Sequence, residues 1–307
     1  MSAPSSDPRG ALEHRVFVVG VPRSGTTLVQ GLLAAHPDAA SFTESHFFSR
    51  HYRSLRRLKT SLLVRNPTER LRAFLSENQV EAHAEQPAFA ELARRIDVRR
   101  PRLPFRSTEA AGLFLRFLDA LAIARGRRHW IEKTPRHLHH LDFLDRISDR
   151  ADLPQARLSF VHVIRRGLPT VASLRTASQS WERPYALEEC VARWNKDLSR
   201  SLSRPTSDRD LFVSYEALTE KPEAVLCALL AQLGWSPKAD LLDRFSRGTD
   251  ALVTTEESWK KETGRSIQPS DSSGEALSEK ERTWAEKHLQ QDLYERALKR
   301  CVEARDA

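Results

Sequence analysis

The stretch from Val16 to Leu33 constrains the fold more than any other part of the chain. Val16-Phe17-Val18-Val19 is an uninterrupted β-branched and aromatic run, the pattern of a strand buried on both faces in a parallel sheet. It ends at Gly20, and from Thr27 the apolar residues Leu28, Val29, Leu32 and Leu33 recur at helical spacing until His36-Pro37 stops them. A buried strand that turns through glycine directly into a helix is the opening unit of an α/β fold.

The turn itself, Gly20-Val21-Pro22-Arg23-Ser24-Gly25-Thr26-Thr27, has the G-x4-G spacing and terminal hydroxyl of a phosphate loop. Gly20 and Gly25 let the backbone curl so that successive N–H groups point inward. The following helix adds unpaired donors and the positive end of its dipole. Where a nucleotide triphosphatase carries Lys, this loop carries Thr26, and its cation is Arg23. The clearest later strand, Leu158–Ile164, runs into Arg165 rather than the Asp that would complete a Mg²⁺ site. The loop is therefore expected to hold a tetrahedral anion with arginine and backbone amides and without a metal. ATP hydrolysis is disfavoured.

Further strands are expected at His129-Trp130-Ile131-Glu132 and at Leu211 to Tyr215, with helices near 168–177, over Leu187 to Leu198, from Pro222 to Leu233, and over 278–303. Residues 1–13 read as a disordered leader. Residues 14–305 read as one domain with a central parallel sheet flanked by helices and an Arg-rich helical insert at about 47–125. Trp130, Trp181 and Trp194 suit either the core or an acceptor pocket, and His162 suits the core. The 307 residues carry 49 Lys+Arg against 41 Asp+Glu, a net charge of +8, and that surplus asks for an anionic partner. Cys190, Cys227 and Cys301 are far apart, which excludes a disulfide framework or a zinc signature and suits a reducing compartment. Without an apolar leader or a membrane-length run, a cytoplasmic protein is expected.

Two segments together identify a family. Val18 to Leu28 resembles the 5′-phosphosulfate loop of sulfotransferases that use 3′-phosphoadenosine 5′-phosphosulfate (PAPS) and release PAP. Phe160 to Ser173 resembles their 3′-phosphate motif, a strand ending in Arg165 with Ser173 in the following helix. Phe42-Thr43-Glu44-Ser45, Ile131-Glu132-Lys133-Thr134-Pro135 and Tyr215-Glu216 resemble elements of the tyrosylprotein and bacterial branch. The family's Arg-Lys-Gly triplet is absent, and Lys260, Lys261 and Arg265 stand as substitutes near the end.

The resemblance implies the P-loop-like sulfotransferase fold and the following roles. Arg23, Ser24, Gly25, Thr26 and Thr27 hold the 5′-phosphosulfate. Arg165 and Ser173 grip the 3′-phosphate, Tyr215 contacts the nucleotide, and Lys260 and Lys261 cap it. Glu44 or His46 is the general base, and Lys133 stabilises the departing bridging oxygen. The acceptor is a hydroxyl on a small molecule, lipid or sugar. Two other classes compete: a degenerate P-loop kinase or phosphotransferase, and a basic module for nucleic acid or an anionic surface. The missing Walker lysine argues against the first. The lack of a nucleic-acid-binding motif argues against the second, so no nucleic-acid partner is expected.

Overall fold

All seven residues of the first strand are buried, which fits a strand at the centre of a sheet. The computed structural model describes residues 12–63, 107–150, 153, 155–238, 240–248, 267 and 276–302. Among these the strands are β1 (His14–Gly20), β2 (Ala39–Phe42), β3 (Tyr52–Leu55), β4 (Thr60–Leu63), β5 (His129–Lys133), β6 (Arg157–Ile164) and β7 (Asp210–Ser214). Five form a parallel sheet in the order β2-β5-β1-β6-β7, while β3 and β4 pair as an antiparallel hairpin. The helices are α1 (Thr26–Ala34), α2 (Phe47–His51), α3 (Ser107–Ala124), α4 (Leu141–Ser148), α5 (Gly167–Ser178), α6 (Leu187–Leu202), α7 (Tyr215–Glu220), α8 (Pro222–Leu233), α9 (Leu241–Gly248), α10 (Glu279–His288) and α11 (Gln291–Leu298). The chain divides into two units, Met1–Phe17 with Leu33–Leu158, and Val18–Leu32 with Ser159–Ala307.

In the first unit a buried charge is paired with a carboxylate. Arg15 donates to both carboxylate oxygens of Asp119 at 2.9 and 2.8 Å, and Trp130 Nε1 donates to Asp119 Oδ1 at 2.8 Å. Such a pair is tolerable inside a core because each partner supplies the other's hydrogen bonds. Phe47 stacks on Phe114 at 4.2 Å, with Phe48, Tyr52 and Phe143 edge-on or tilted around them. Trp130 thus belongs to the core, not to an open pocket wall.

The helical insert needs correction over its first part. Residues 52–63 form the β3–β4 hairpin, with a single 3₁₀ turn at Arg56–Leu58 and Lys59 in the left-handed region at φ 46°. Arg53, Arg56 and Arg57 lie exposed on a hairpin rather than on a helix, while Tyr52 and Ser61 are buried. Helix returns at α3. Residues 64–106, which include Arg65, Arg70 and Arg72, lie outside the described residues, as do 1–11 of the expected leader.

His129 begins β5 beside His14 and His36. Burial, helped by the neighbouring His36 and Arg128 and opposed by Glu13 and Asp38, lowers its pKa to about 4. A histidine lowered in the folded state contributes stability that is complete above its unfolded value near 6.5 and is lost as pH falls towards 4. The expected result is that the wild type loses about 2–3 kcal/mol through this group between pH 6.5 and 4. His129→Asn flattens that part of the profile in urea melts taken at each pH.

In the second unit, α8 starts with Pro222 at its first turn and ends at Gly234, whose φ of 74° is the left-handed cap that glycine favours. Trp194 is buried on α6, and its Nε1 donates to the carbonyl of Arg165 at 3.2 Å. Trp181, by contrast, is partly exposed. The closing helix is broken into α10 and α11 because Asn195 of α6 satisfies the backbone freed at the break. Its amide donates to His288 O at 3.0 Å, and its carbonyl accepts from Gln290 N–H at 2.9 Å. Beyond α11, Cys301 forms a parallel bridge with Phe212, and Val302 N–H donates to Phe212 O at 2.8 Å. His162 lies inside β6, bonded to Asp210 at 3.0 Å and stacked on Phe212, as a core histidine does. No described helix is long and apolar enough to cross a membrane.

Candidate active site

The loop between β1 and α1 turns back on itself through three residues with positive φ, Gly20 at 154°, Arg23 at 73° and Gly25 at 95°. Ser24 N–H closes the turn on Val21 O at 3.1 Å. Glycine is required twice. A Cβ at Gly20 would stand 2.7 Å from the carbonyl of Val163 in β6, and one at Gly25 would stand 2.3 Å from the Tyr215 ring. Thr26 then starts α1, so the first N–H groups of that helix open at the loop without intrahelical partners.

The two sequence motifs of the second unit meet at Arg23. Its Nε donates to Ser173 Oγ on α5 at 3.1 Å, and its carbonyl accepts from Arg165 Nη1 at 3.0 Å. The Arg165 guanidinium, only 6% exposed, lies 4.2 Å from the centre of the Tyr215 ring. Tyr215 is the first residue of α7 rather than the last of β7, and this turns its ring towards Gly25. The following residue braces the same corner. Glu216 accepts from Arg166 N–H at 2.9 Å, Ser214 Oγ at 3.3 Å and Tyr294 OH at 3.1 Å, which holds the chain as it leaves β6.

This arrangement fits a multiply charged anion. Ser24 Oγ is buried, with the residue 1% exposed, and makes no hydrogen bond to protein. A buried hydroxyl without a partner costs about 1–3 kcal/mol, and it sits on a loop rich in inward donors. Arg23, Ser24, Gly25, Thr26, Arg165, Ser173 and Tyr215 are thus brought together in one unit, with Thr27 half-buried in the first turn of α1. Lys260, Lys261 and Arg265 lie outside the described residues. Among the described residues no group of three or more His, Cys, Asp or Glu could hold a metal ion.

The first unit gathers the acid–base residues. Lys133, the last residue of β5, is 1% exposed and forms an ion pair with Glu44 Oε1. The other carboxylate oxygen of Glu44 lies 3.1 Å from His46 Nε2. The two candidate bases are therefore neighbours, with Glu44 between the lysine and the imidazole. Charge in this trio can shift as a proton moves: a protonated Glu44 leaves the ammonium of Lys133 without its counter-ion.

Sequence reasoning passed over Glu132, which is fully buried next to Lys133. Its Oε1 accepts from Ser45 N–H at 3.2 Å, Ser45 Oγ at 2.8 Å and Thr134 Oγ1 at 2.6 Å, and its Oε2 lies 3.0 Å from His137 Nδ1. The signal was present in the sequence: an acid inside an apolar strand needs several donors before it can be buried.

The wider comparisons agree with this geometry. The model of the family described as "Sulfotransferase family" matches residues 15–239. Nodulation protein NoeE of Sinorhizobium fredii is 26% identical over 244 residues, 72% of this chain and 50% of that protein, so the chain spans about half the length of this curated relative. The sulfotransferase domain from the curacin biosynthetic pathway superposes with a TM-score of 0.54 at 18% identity, covering 90% of this chain and 97% of that one. Mouse sulfotransferase SULT7A1, solved in complex with PAP, gives a TM-score of 0.51 at 12% identity, covering 94% and 88%. These two structures share the fold, and the family match extends from the start of β1 through α8, taking in both phosphate-type motifs and the Glu44–Lys133 pair. The chain belongs to the sulfotransferase family.

Proposed function

We propose that this sulfotransferase takes its sulfuryl group from PAPS and delivers it to a hydroxyl acceptor, a small molecule, lipid or sugar. The observation that carries the reading is the junction of Arg23, Ser173 and Arg165 beside the unpartnered Ser24 hydroxyl. PAPS supplies an activated sulfuryl group on a phosphosulfate and a second phosphate for recognition. In this reading the guanidinium of Arg23, the Ser24 hydroxyl and the amides of Gly25, Thr26 and Thr27 bind the 5′ end. Arg165 and Ser173 bind the 3′-phosphate, and the Tyr215 ring orients Arg165. Lys260 and Lys261 cap the nucleotide.

Glu44 accepts the acceptor's hydroxyl proton as its oxygen forms the new S–O bond, and the bond from sulfur to the bridging oxygen breaks. The electron pair of that bond leaves with PAP. Protonation of Glu44 releases the charge of Lys133 as the bridging oxygen becomes negative, so proton uptake and leaving-group stabilisation are two consequences of one event. His46, whose Nε2 lies 3.1 Å from the same carboxylate, is the second candidate proton acceptor.

Three free cysteines, with burial pushing the Cys190 thiol up to about 11 and that of Cys301 to about 12, fit a reducing, cytoplasmic setting. The test is calorimetric titration with PAP, followed by incubation of ³⁵S-labelled PAPS with panels of sugars, lipids and phenols. Saturable PAP binding and label on a hydroxyl compound are expected. ATP·Mg²⁺ binding without PAP binding, or DNA binding that weakens steeply with salt, would overturn the reading.

A further inference from the structure

Four consecutive backbone N–H groups, those of Ser45, His46, Phe47 and Phe48, lead from the Glu44 loop into α2. A helix of five residues cannot satisfy its own first-turn donors. Ser45 N–H donates to Glu132 at 3.2 Å, His46 N–H to Thr134 Oγ1 at 3.2 Å, Phe47 N–H to Ser45 Oγ at 3.2 Å and Phe48 N–H to His137 Nε2 at 3.1 Å. All four acceptors lead to Glu132, because the hydroxyls of Ser45 and Thr134 pass their own protons to it, at 2.8 and 2.6 Å. His137 Nε2 accepts a backbone proton, so Nδ1 must carry the ring proton and point it at Glu132 Oε2.

From this network we infer that Glu132 is a positioning residue for catalysis. Through Ser45, Thr134 and a neutral Nδ1–H His137 it fixes the loop that presents Glu44 and His46 beside Lys133. This role rests on the proposed function, in which Glu44 or His46 takes the proton.

The direction of each donor is forced. An ionised carboxylate is acceptor-only, so every donor around Glu132 must point at it, and each hydroxyl in the network has one proton to give and one to receive. Burial pushes the Glu132 carboxyl up, and the hydrogen bonds from His137, Thr134 and Ser45 pull it down. The register of the strands completes the constraint. Phe42 at the end of β2 lies opposite Glu132 in β5, so the loop begins beside the carboxylate that holds it. His46 adopts a left-handed φ of 49°, a conformation for which a non-glycine residue needs local support. The bond from its N–H to Thr134 supplies it.

Glu132→Gln cannot satisfy both ends. An amide NH₂ facing Ser45 leaves the Ser45 N–H without an acceptor, and one facing His137 meets the Nδ1–H. The test is imidazole ¹⁵N–¹H NMR of the full chain, with PAP calorimetry on the same samples. Wild-type His137 is expected as the Nδ1–H tautomer. In Glu132→Gln that signature is lost, the His46 resonances move, and PAP affinity stays within threefold. PAPS turnover, with 4-nitrophenol or water as acceptor, falls about 10²-fold in kcat with KM for PAPS unchanged, the size of effect that a small misplacement of a catalytic group produces.

If Glu132→Gln does not fold, Thr134→Val removes the link between His46 N–H and Glu132 while leaving the buried charge. It should move the His46 resonances, and Thr134→Ser should restore them. Coincident His46 and His137 spectra in a folded variant and the wild type overturn the inference. Failure of the wild type to bind PAP would instead remove the proposed donor, and the NMR coupling between Glu132 and His46 would still be readable.

Discussion

Glu44→Gln lowers sulfuryl transfer by about 10²–10⁴-fold while PAP still binds. The substitution keeps the shape of the side chain and an oxygen that can accept from Lys133, but it removes the site that receives the hydroxyl proton. It also separates the two candidate bases. If His46 were the base, His46→Ala would cost more than Glu44→Gln, and the double variant would match His46→Ala alone. If Glu44 is the base, the order reverses and His46→Ala is the milder change. Lys133 is almost fully buried, so a melt must accompany the kinetics. Breaking a buried ion pair by deleting one partner typically costs about 3–5 kcal/mol, and Glu44→Ala would mix that loss with the chemical one. A Glu44→Gln protein with near-wild-type turnover sinks the assignment.

Arg165→Ala is expected to weaken PAP binding by about 30-fold to a few thousand-fold, because truncating one member of a desolvated, hydrogen-bonded charge pair commonly costs about 2–5 kcal/mol. The residue does three things at once: it carries the charge, donates to the carbonyl of Arg23, and covers the Tyr215 ring. Arg165→Lys should recover little, since an ammonium restores charge but neither the planar fork nor the stacked face. The carbonyl of residue 165 still receives Trp194 Nε1 in both variants, so the packing of α6 is not the variable. Calorimetry with PAP on folded variants reads the effect directly. Affinity within threefold of wild type would remove Arg165 from the nucleotide site.

The parts of the fold readable in the sequence are those where periodicity and punctuation agree. β1 with its glycine loop, β6 ending in Arg165, and α8 between Pro222 and Gly234 each carry a pattern and a stop signal. β2 was missed because Ala39-Ala40-Ser41-Phe42 is four residues long with one large side chain, and it becomes a strand only by pairing with β5. The hairpin at 52–63 was read as helix because arginines dominate it, and their spacing says little when the partner strand decides which side is buried. The break at Leu289 is likewise invisible along the chain, since its cause is Asn195 on another helix. Of the candidate site residues, the sequence motifs single out Arg23, Arg165 and Ser173, which lie against one another, and Glu44 and Lys133, which form an ion pair. Glu132 is not singled out, because its proposed role depends on donors from Ser45, far away in the sequence, as well as from the turn Thr134–His137.

The packing of Arg165 on Tyr215 has a consequence for how fast and how tightly the site can work. A free arginine surrenders about 2 kcal/mol of rotamer entropy when it is ordered. Here the ring of Tyr215 and the carbonyl of Arg23 already hold it before any ligand arrives. In the proposed function that cost belongs to folding, so an incoming nucleotide would not meet it, and more of the phosphate–guanidinium attraction would be left to lengthen its residence time.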